Sequence, residues 1–403
     1  MAQELISPQN KLGRKGLIFL IFLLNMTGPM STDLYLPAFP TILTEFNTTS
    51  DILNYTLVGF FISFAIGMLF IGPLSDKIGR KPVLLSGIFI YGLSSLLCSF
   101  ATSIELLILF RITQAIGAGG MISVSTAMVK DSFTDDDRPG IIALLQMLGA
   151  FAPTVAPLIG AQIINYFSWQ VTFDVLAIIA AFSFVISLFV TETLKIENRL
   201  KGSALTSVFS LKEIIKNRGF MIFLLSVSGT SLIYMAFLSI SSYIYIQWFN
   251  LNETQYSLFF AINSLILLLG PNAYLLARKR FSANQVIQFT FLLMLIAGVL
   301  ILTLGKSSPI VFLLCFAPIT FANGFIRSFA SNILLGQKEM NSGGVASIIS
   351  FTMTALGAFG MMLGTIGWSN YIHGLGIITL LATVISFSLW FYFKKKNFKL
   401  NGI

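Results

Sequence analysis

Four ionisable side chains stand where the sequence around them is apolar: Asp33, Arg111, Asp174 and Arg327. Each interrupts a run long enough to cross a hydrocarbon core about 30 Å thick. A charge near the middle of such a run costs about 2.5–3.5 kcal/mol on the insertion scale and usually faces a cavity or a partner. The chemistry open to these groups is proton exchange and charge pairing. Covalent catalysis has little to draw on. The single histidine, His373, reads as part of a short outside loop, and the chain has no HExxH, phosphate loop or Ser-His-Asp set within its apolar runs. Cys98 and Cys315 lack metal-ligand spacing and read as buried apolar packing. Neither an enzyme, a metal nor a cofactor is expected.

Depth and spacing single out two of the four. At a rise of ~1.5 Å per residue, Asp33 lies ~7–8 Å below the outer end of the first run and Arg111 roughly 10 Å below the same surface in the fourth. Opposite charges at similar depth can pair, although spacing alone does not require it. Asn25, Met26, Pro29 and Asp33 share one helical stripe, and Arg111 and Gln114 share another. Polar groups mixed with small or flexible ones suit a water-filled cavity better than a lipid face. A permanent clamp between helices would use the same pair, but ionisable groups inside a membrane are functional by default. Burial disfavours the charged form of a carboxyl group and a nearby guanidinium favours it. A balance between the two would let Asp33 bind and release a proton. Asp174, five residues beyond Trp169, is the second candidate, with a shallow structural role equally open. Arg327 reads as snorkelling to the inner interface.

The elements that must hold these residues are membrane helices. Of the 403 residues, 56% are hydrophobic and only 10% charged, well below the quarter typical of soluble domains. Runs of 18 or more apolar residues recur along the chain, which points to helical spans rather than the alternating strands of a membrane barrel. Twelve candidate spans begin between Gly16 and Gly374. The first is too long for a signal peptide, lacks an A-x-A-like site and is expected to be retained. The net charge of +9 does not signal nucleic acid, because 22 of the 25 Lys and Arg residues fall at the termini and in alternate loops. Lys306 is the only one in the other loops. Positive charge collects on the cytoplasmic side, so both termini are expected there, with an even number of spans.

Residues 192–218 form the longest polar interval and read as a cytoplasmic linker between bundles at 1–191 and 219–403. "GPLSDKIGRKP" at 72–82 aligns with "GPNAYLLARKR" at 270–280, and "LGAF" recurs at 148–151 and 356–359. Both matches occupy equivalent places in the two halves, as an internal repeat requires.

Several motifs resemble the major facilitator superfamily. "GPLSDKIGRKPVLL" fits its loop signature between spans two and three, with Gly72, Asp76, Lys77, Gly79, Arg80 and Lys81 at the matching positions. Glycine permits the tight turn, and Asp76 is expected near a helix N-terminus. The resemblance implies that this loop is a cytoplasmic gate. "RITQAIGAGG" at 111–120 looks like the family's proton-coupling motif on span four, built on Arg111. "LGAFAPTVAPLIGA" looks like its antiporter motif on span five, with Gly149, Pro153, Pro157 and Gly160, although Ala156-Pro157 replaces the usual Gly-Pro. Each proline frees a carbonyl, of Gly149 and of Pro153. "TDLYLPAFP", "WQVTF" and "ETL" resemble the Bcr/CflA drug-efflux subfamily. The second half keeps only a degraded loop, with Tyr274 at the place of Asp76.

The resemblance implies an all-α integral membrane protein of the major facilitator fold, twelve helices in two six-helix bundles. It implies a proton-driven antiporter in the bacterial inner (plasma) membrane, exporting small amphiphilic or apolar drugs by alternating access and working as a monomer among membrane lipid. The energy source would be the proton gradient, with no cofactor. The alternative on the same fold is a proton-coupled importer or exporter of an endogenous metabolite.

Overall fold

A computed structural model of the chain describes residues 5–134, 136–200, 211–337 and 342–403. Among them helices account for the regular structure and no strand occurs. The chain divides into two compact units. The first contains residues 1–48 and 59–209, the second residues 49–58 and 210–403.

The first unit holds α1 (Gly13–Asp33), the short α2 (Phe39–Glu45), most of α3 (Ser50–Ile78), α4 (Arg80–Ser99), α5 (Ile104–Ser132), α6 (Arg138–Tyr166) and α7 (Gln170–Leu188). Helix α4 packs against α5 and α7, and α1 packs against α5, α6 and α7. A long apolar run explains each helix except the short α2, and local chemistry explains the ends. Ser103 caps α5 by accepting from the Leu106 amide. Pro37 lies within a 3₁₀ turn, Leu36–Ala38, soon after α1 ends.

The second unit holds α8 (Leu211–Lys216), α9 (Arg218–Val227), α10 (Gly229–Ser242) with a π-type turn at Tyr243–Trp248, α11 (Glu253–Ala277), α12 (Ala283–Leu304), α13 (Pro309–Leu335), α14 (Ser342–Thr365) and α15 (Tyr371–Lys395). Asn252 and Ser282 start α11 and α12 with reciprocal capping boxes. The first residues of α3 group with this unit, where buried Asn54 donates to the Met361 carbonyl (2.7 Å) and to Thr365 Oγ1 (3.0 Å).

Eleven helices among the described residues are long and apolar enough to cross a membrane. The expected fifth span falls on α6, which is not among the eleven. His373 lies in the first turn of α15, where its amide donates to Asn370 Oδ1, rather than in a loop. Within the expected linker, residues 192–200 belong to the first unit and α8 to the second; residues 201–210 lie outside the described set.

The repeat reappears in packing. A Cβ on Gly160 would strike the Leu34 carbonyl, and one on Gly360 would strike that of Leu232. Likewise Gly119 lies against the Phe64 carbonyl and Gly324 against that of Leu267. Equivalent helix pairs in each unit approach backbone to backbone at equivalent glycines, the close packing that small residues permit in membrane bundles.

Candidate functional site

Asp33 is the last residue of α1 and is buried. Pro29, one turn earlier, cannot donate and weakens the helix at the Asn25 carbonyl. Asn25 holds the position from its side chain, donating to the Ile21 carbonyl (2.8 Å) and to Ser125 Oγ on α5 (3.0 Å). Asn25, Met26 and Pro29 are half-buried, so the stripe leading to Asp33 keeps an accessible edge. Asp33 accepts a hydrogen bond from Thr32 Oγ1 (3.0 Å). It has no ion pair among the described residues.

Arg111 is fully buried on α5. Its guanidinium carbon lies 4.1 Å from the centroid of Phe60, 4.8 Å from that of Tyr35 and 5.8 Å from that of Phe173. An aromatic enclosure takes the place of a counter-ion, and such contacts reach about 2 kcal/mol or more when desolvated. Nη1 donates to Gln114 Oε1 (2.5 Å), but Nε and Nη2 have no acceptor among the described residues. Asp33 and Arg111, which the sequence allows to pair, form no salt bridge here.

A polar chain leads from Arg111 back to α1. Gln114 Nε2 donates to Ser95 Oγ (2.7 Å), and Ser95 donates to the Tyr91 carbonyl (2.7 Å). Tyr91 OH lies 2.7 Å from Ser31 Oγ, and Ser31 is two residues from Asp33. Three helices, α5, α4 and α1, are thus tied to one guanidinium. Asp174 is half-buried beside Phe173 and has no ion pair among the described residues.

Sequence reasoning named Asp33, Arg111 and Gln114 but missed Phe60, Tyr91, Ser95 and Ser31. Two aromatic members were within reach, because Tyr35 belongs to "TDLYLPAFP" and Phe173 closes "WQVTF". Residues of three separate motifs therefore meet around Arg111. Trp169, which opens the last of them, donates to Glu45 Oε2 (2.7 Å).

The loop motif is organised around Arg80. Its side chain meets Asp131 (2.8 Å), Asp76 (2.7 Å) and Ser75 Oγ (2.6 Å). Gly79 adopts φ 121°, and a side chain there would run into Glu192 and Arg199. Asp76 lies in the last turn of α3, not at a helix N-terminus as expected. The carboxylate at the start of α4 is Glu192, which accepts from the amides of Arg80 (2.9 Å) and Lys81 (3.2 Å). A negative group suits the positive end of the helix dipole, and this gives the "ETL" motif a physical role. Lys81 Nζ donates to the Leu188 carbonyl (2.8 Å), while Lys77 is exposed and Gly72 half-buried.

Pro153 and Pro157 lie inside α6, as does Gly149, whose surroundings lie outside the described set; Gly160 abuts Leu34, the residue after Asp33. Cys98 and Cys315 are buried and free. No group of three or more metal-ligating side chains occurs among the described residues.

Residues 21–365 match the Major Facilitator Superfamily. The chain is 29% identical over 362 residues to the uncharacterized MFS-type transporter YdgK of Bacillus subtilis, covering 88% of this chain and 87% of that protein. It is 30% identical over 184 residues to a bicyclomycin resistance protein homolog of Haemophilus influenzae (45% and 46% covered). It is 25% identical over 328 residues to the multidrug resistance protein MdtL of Salmonella typhi (81% and 82% covered). Among solved structures it resembles a bacterial homologue of the human lysosomal transporter Spinster, with TM-score 0.76, 14% identity and 94% and 96% of the chains covered. It also resembles a D-xylose–proton symporter, with TM-score 0.69, 15% identity and 92% and 97% covered.

Proposed function

The chain belongs to the Major Facilitator Superfamily, a family of transporters rather than enzymes, and from that premise we propose that it is a proton-coupled antiporter exporting small organic compounds. It is a multi-pass protein of the bacterial inner membrane. The two units are taken as the halves of the alternating-access machine. The drug-resistance relatives, at 25–30% identity, support an amphiphilic or apolar drug as cargo and a place in the Bcr/CflA subfamily.

One observation carries the reading: Asp33 and Arg111 are both buried in the first unit, and neither has an ion-pair partner among the described residues. A permanent structural clamp would have joined them. A carboxyl group without a counter-ion can instead change its charge as access alternates, which is what proton coupling needs. Arg111 tunes the site through the Gln114–Ser95–Tyr91–Ser31 chain, which ends on α1 two residues from Asp33. Asp174 stands by as a second titratable group, and residues 72–81 act at the inner gate. No cofactor enters the scheme.

The test is a drug-susceptibility panel in a pump-deficient bacterial host at equal expression. Wild type is expected to protect against at least one amphiphilic drug, and Asp33→Asn and Arg111→Ala to lose that protection. A wild type that protects against none removes the drug-export reading.

A further inference from the structure

The spans of the second unit carry one charged side chain remote from their ends, Arg327 on α13. It lies eight residues before Leu335, roughly 12 Å along the helix axis, which is farther than snorkelling comfortably covers. Its direction also departs from that reading. The outward face of α13 is marked by Ile310 (61% exposed), Leu314 (63%) and Leu335 (43%). At 3.6 residues per turn, Arg327 is turned about 80–140° from those residues. It falls instead on the stripe of Thr320 and Asn323, both of which are buried.

That stripe is polar, and its one charge, on Arg327, is positive. Thr320 Oγ1 donates to Asn263 Oδ1 on α11 (2.6 Å), which fixes the Asn263 amide with its fully buried Nδ2 unpartnered. Asn323 stands one turn before Arg327. Arg327 itself is exposed and has neither an ion pair nor a hydrogen bond among the described residues. A guanidinium brings five N–H donors and no acceptor, and its planar fork matches a carboxylate or similar group. We infer that Arg327, with Asn323 one turn earlier on the same face, is a binding site for an anionic group of the transported molecule, a carboxylate above all. This rests on the transport reading and narrows its cargo to amphiphiles that include organic acids.

The experiment uses the purified full-length chain, with binding of radiolabelled nalidixate (a carboxylate) and chloramphenicol (neutral) measured by equilibrium dialysis. Export of both is measured in energised everted vesicles. Arg327→Gln is expected to weaken nalidixate binding about tenfold, the scale of one charge-assisted contact, and to leave chloramphenicol binding within about twofold. Arg327→Lys keeps the charge without the fork and is expected to fall between. Chloramphenicol binding by the variants reports that they are folded. Equal losses for both compounds, no loss for nalidixate, or export of chloramphenicol without saturable nalidixate binding by wild type would each overturn the inference while leaving transport intact. Failure of wild type to bind either compound would overturn the inference, while the susceptibility panel decides the transport reading separately.

Discussion

Arg111 holds its guanidinium carbon 4.1 Å from the centroid of the Phe60 ring, on the neighbouring helix α3, and meets no carboxylate among the described residues. Phe60 has Phe64 stacked behind it at 6.0 Å. The cation is therefore held by rings and one amide, an arrangement that leaves two N–H-bearing nitrogens free to take an acceptor when one arrives.

Arg111→Lys tests that arrangement. Lysine keeps the charge but loses the planar face and the directed bond to Gln114. Export is expected to fall to near background at normal membrane expression. Phe60→Leu, which removes the ring beneath the cation, is expected to cost about 1–2 kcal/mol of stability. Drug accumulation in whole cells and the thermal midpoint of purified protein check the two effects separately.

The chain of hydrogen bonds makes a narrower prediction. Tyr91→Phe deletes the hydroxyl facing Ser31 and little else, a change of about 1 kcal/mol. The protein is expected to fold normally while its initial export rate drops several-fold. An unchanged rate would remove Tyr91 from the coupling route.

Glu192 lends itself to a stability measurement. It satisfies two amides at the start of α4, so Glu192→Ala is expected to destabilise by about 0.5–2 kcal/mol, the range for a lost helix cap. Glu192→Lys, which opposes the helix dipole, is expected to do worse. Thermal unfolding in detergent ranks the two.

Gly160→Ala and Gly360→Ala probe the repeat. Each adds one methyl group against a backbone carbonyl, Leu34 or Leu232, that has no side chain to move aside. Both variants are expected to show sharply reduced yields of monodisperse protein, whereas Gly140→Ala, with open space around it, is expected to behave as wild type.

The all-helical architecture was legible because membrane helices announce themselves through length and apolarity. The ionisable centres were legible for the same reason: Asp33 and Arg111 contradict their surroundings. What surrounds Arg111 was not, because Phe60, Tyr91 and Ser95 look like ordinary packing residues until helices α3, α4 and α5 are brought together. Asp76 was assigned to the wrong helix end since the loop holds two carboxylate positions in reach, Asp76 from α3 and Glu192 from more than a hundred residues away. Only the fold decides between them. The position of Arg327 along α13 suggested snorkelling, and its company with Thr320 and Asn323 appears only when exposure is mapped on the helix.

The most direct measurement of the central claim is drug movement in proteoliposomes with an imposed pH gradient, comparing wild type with Asp33→Asn. Wild type is expected to drive drug against its concentration gradient and to move protons in return. Asp33→Asn is expected to allow only downhill flux, with no proton counter-movement. Uphill transport by Asp33→Asn at the wild-type rate would contradict the account.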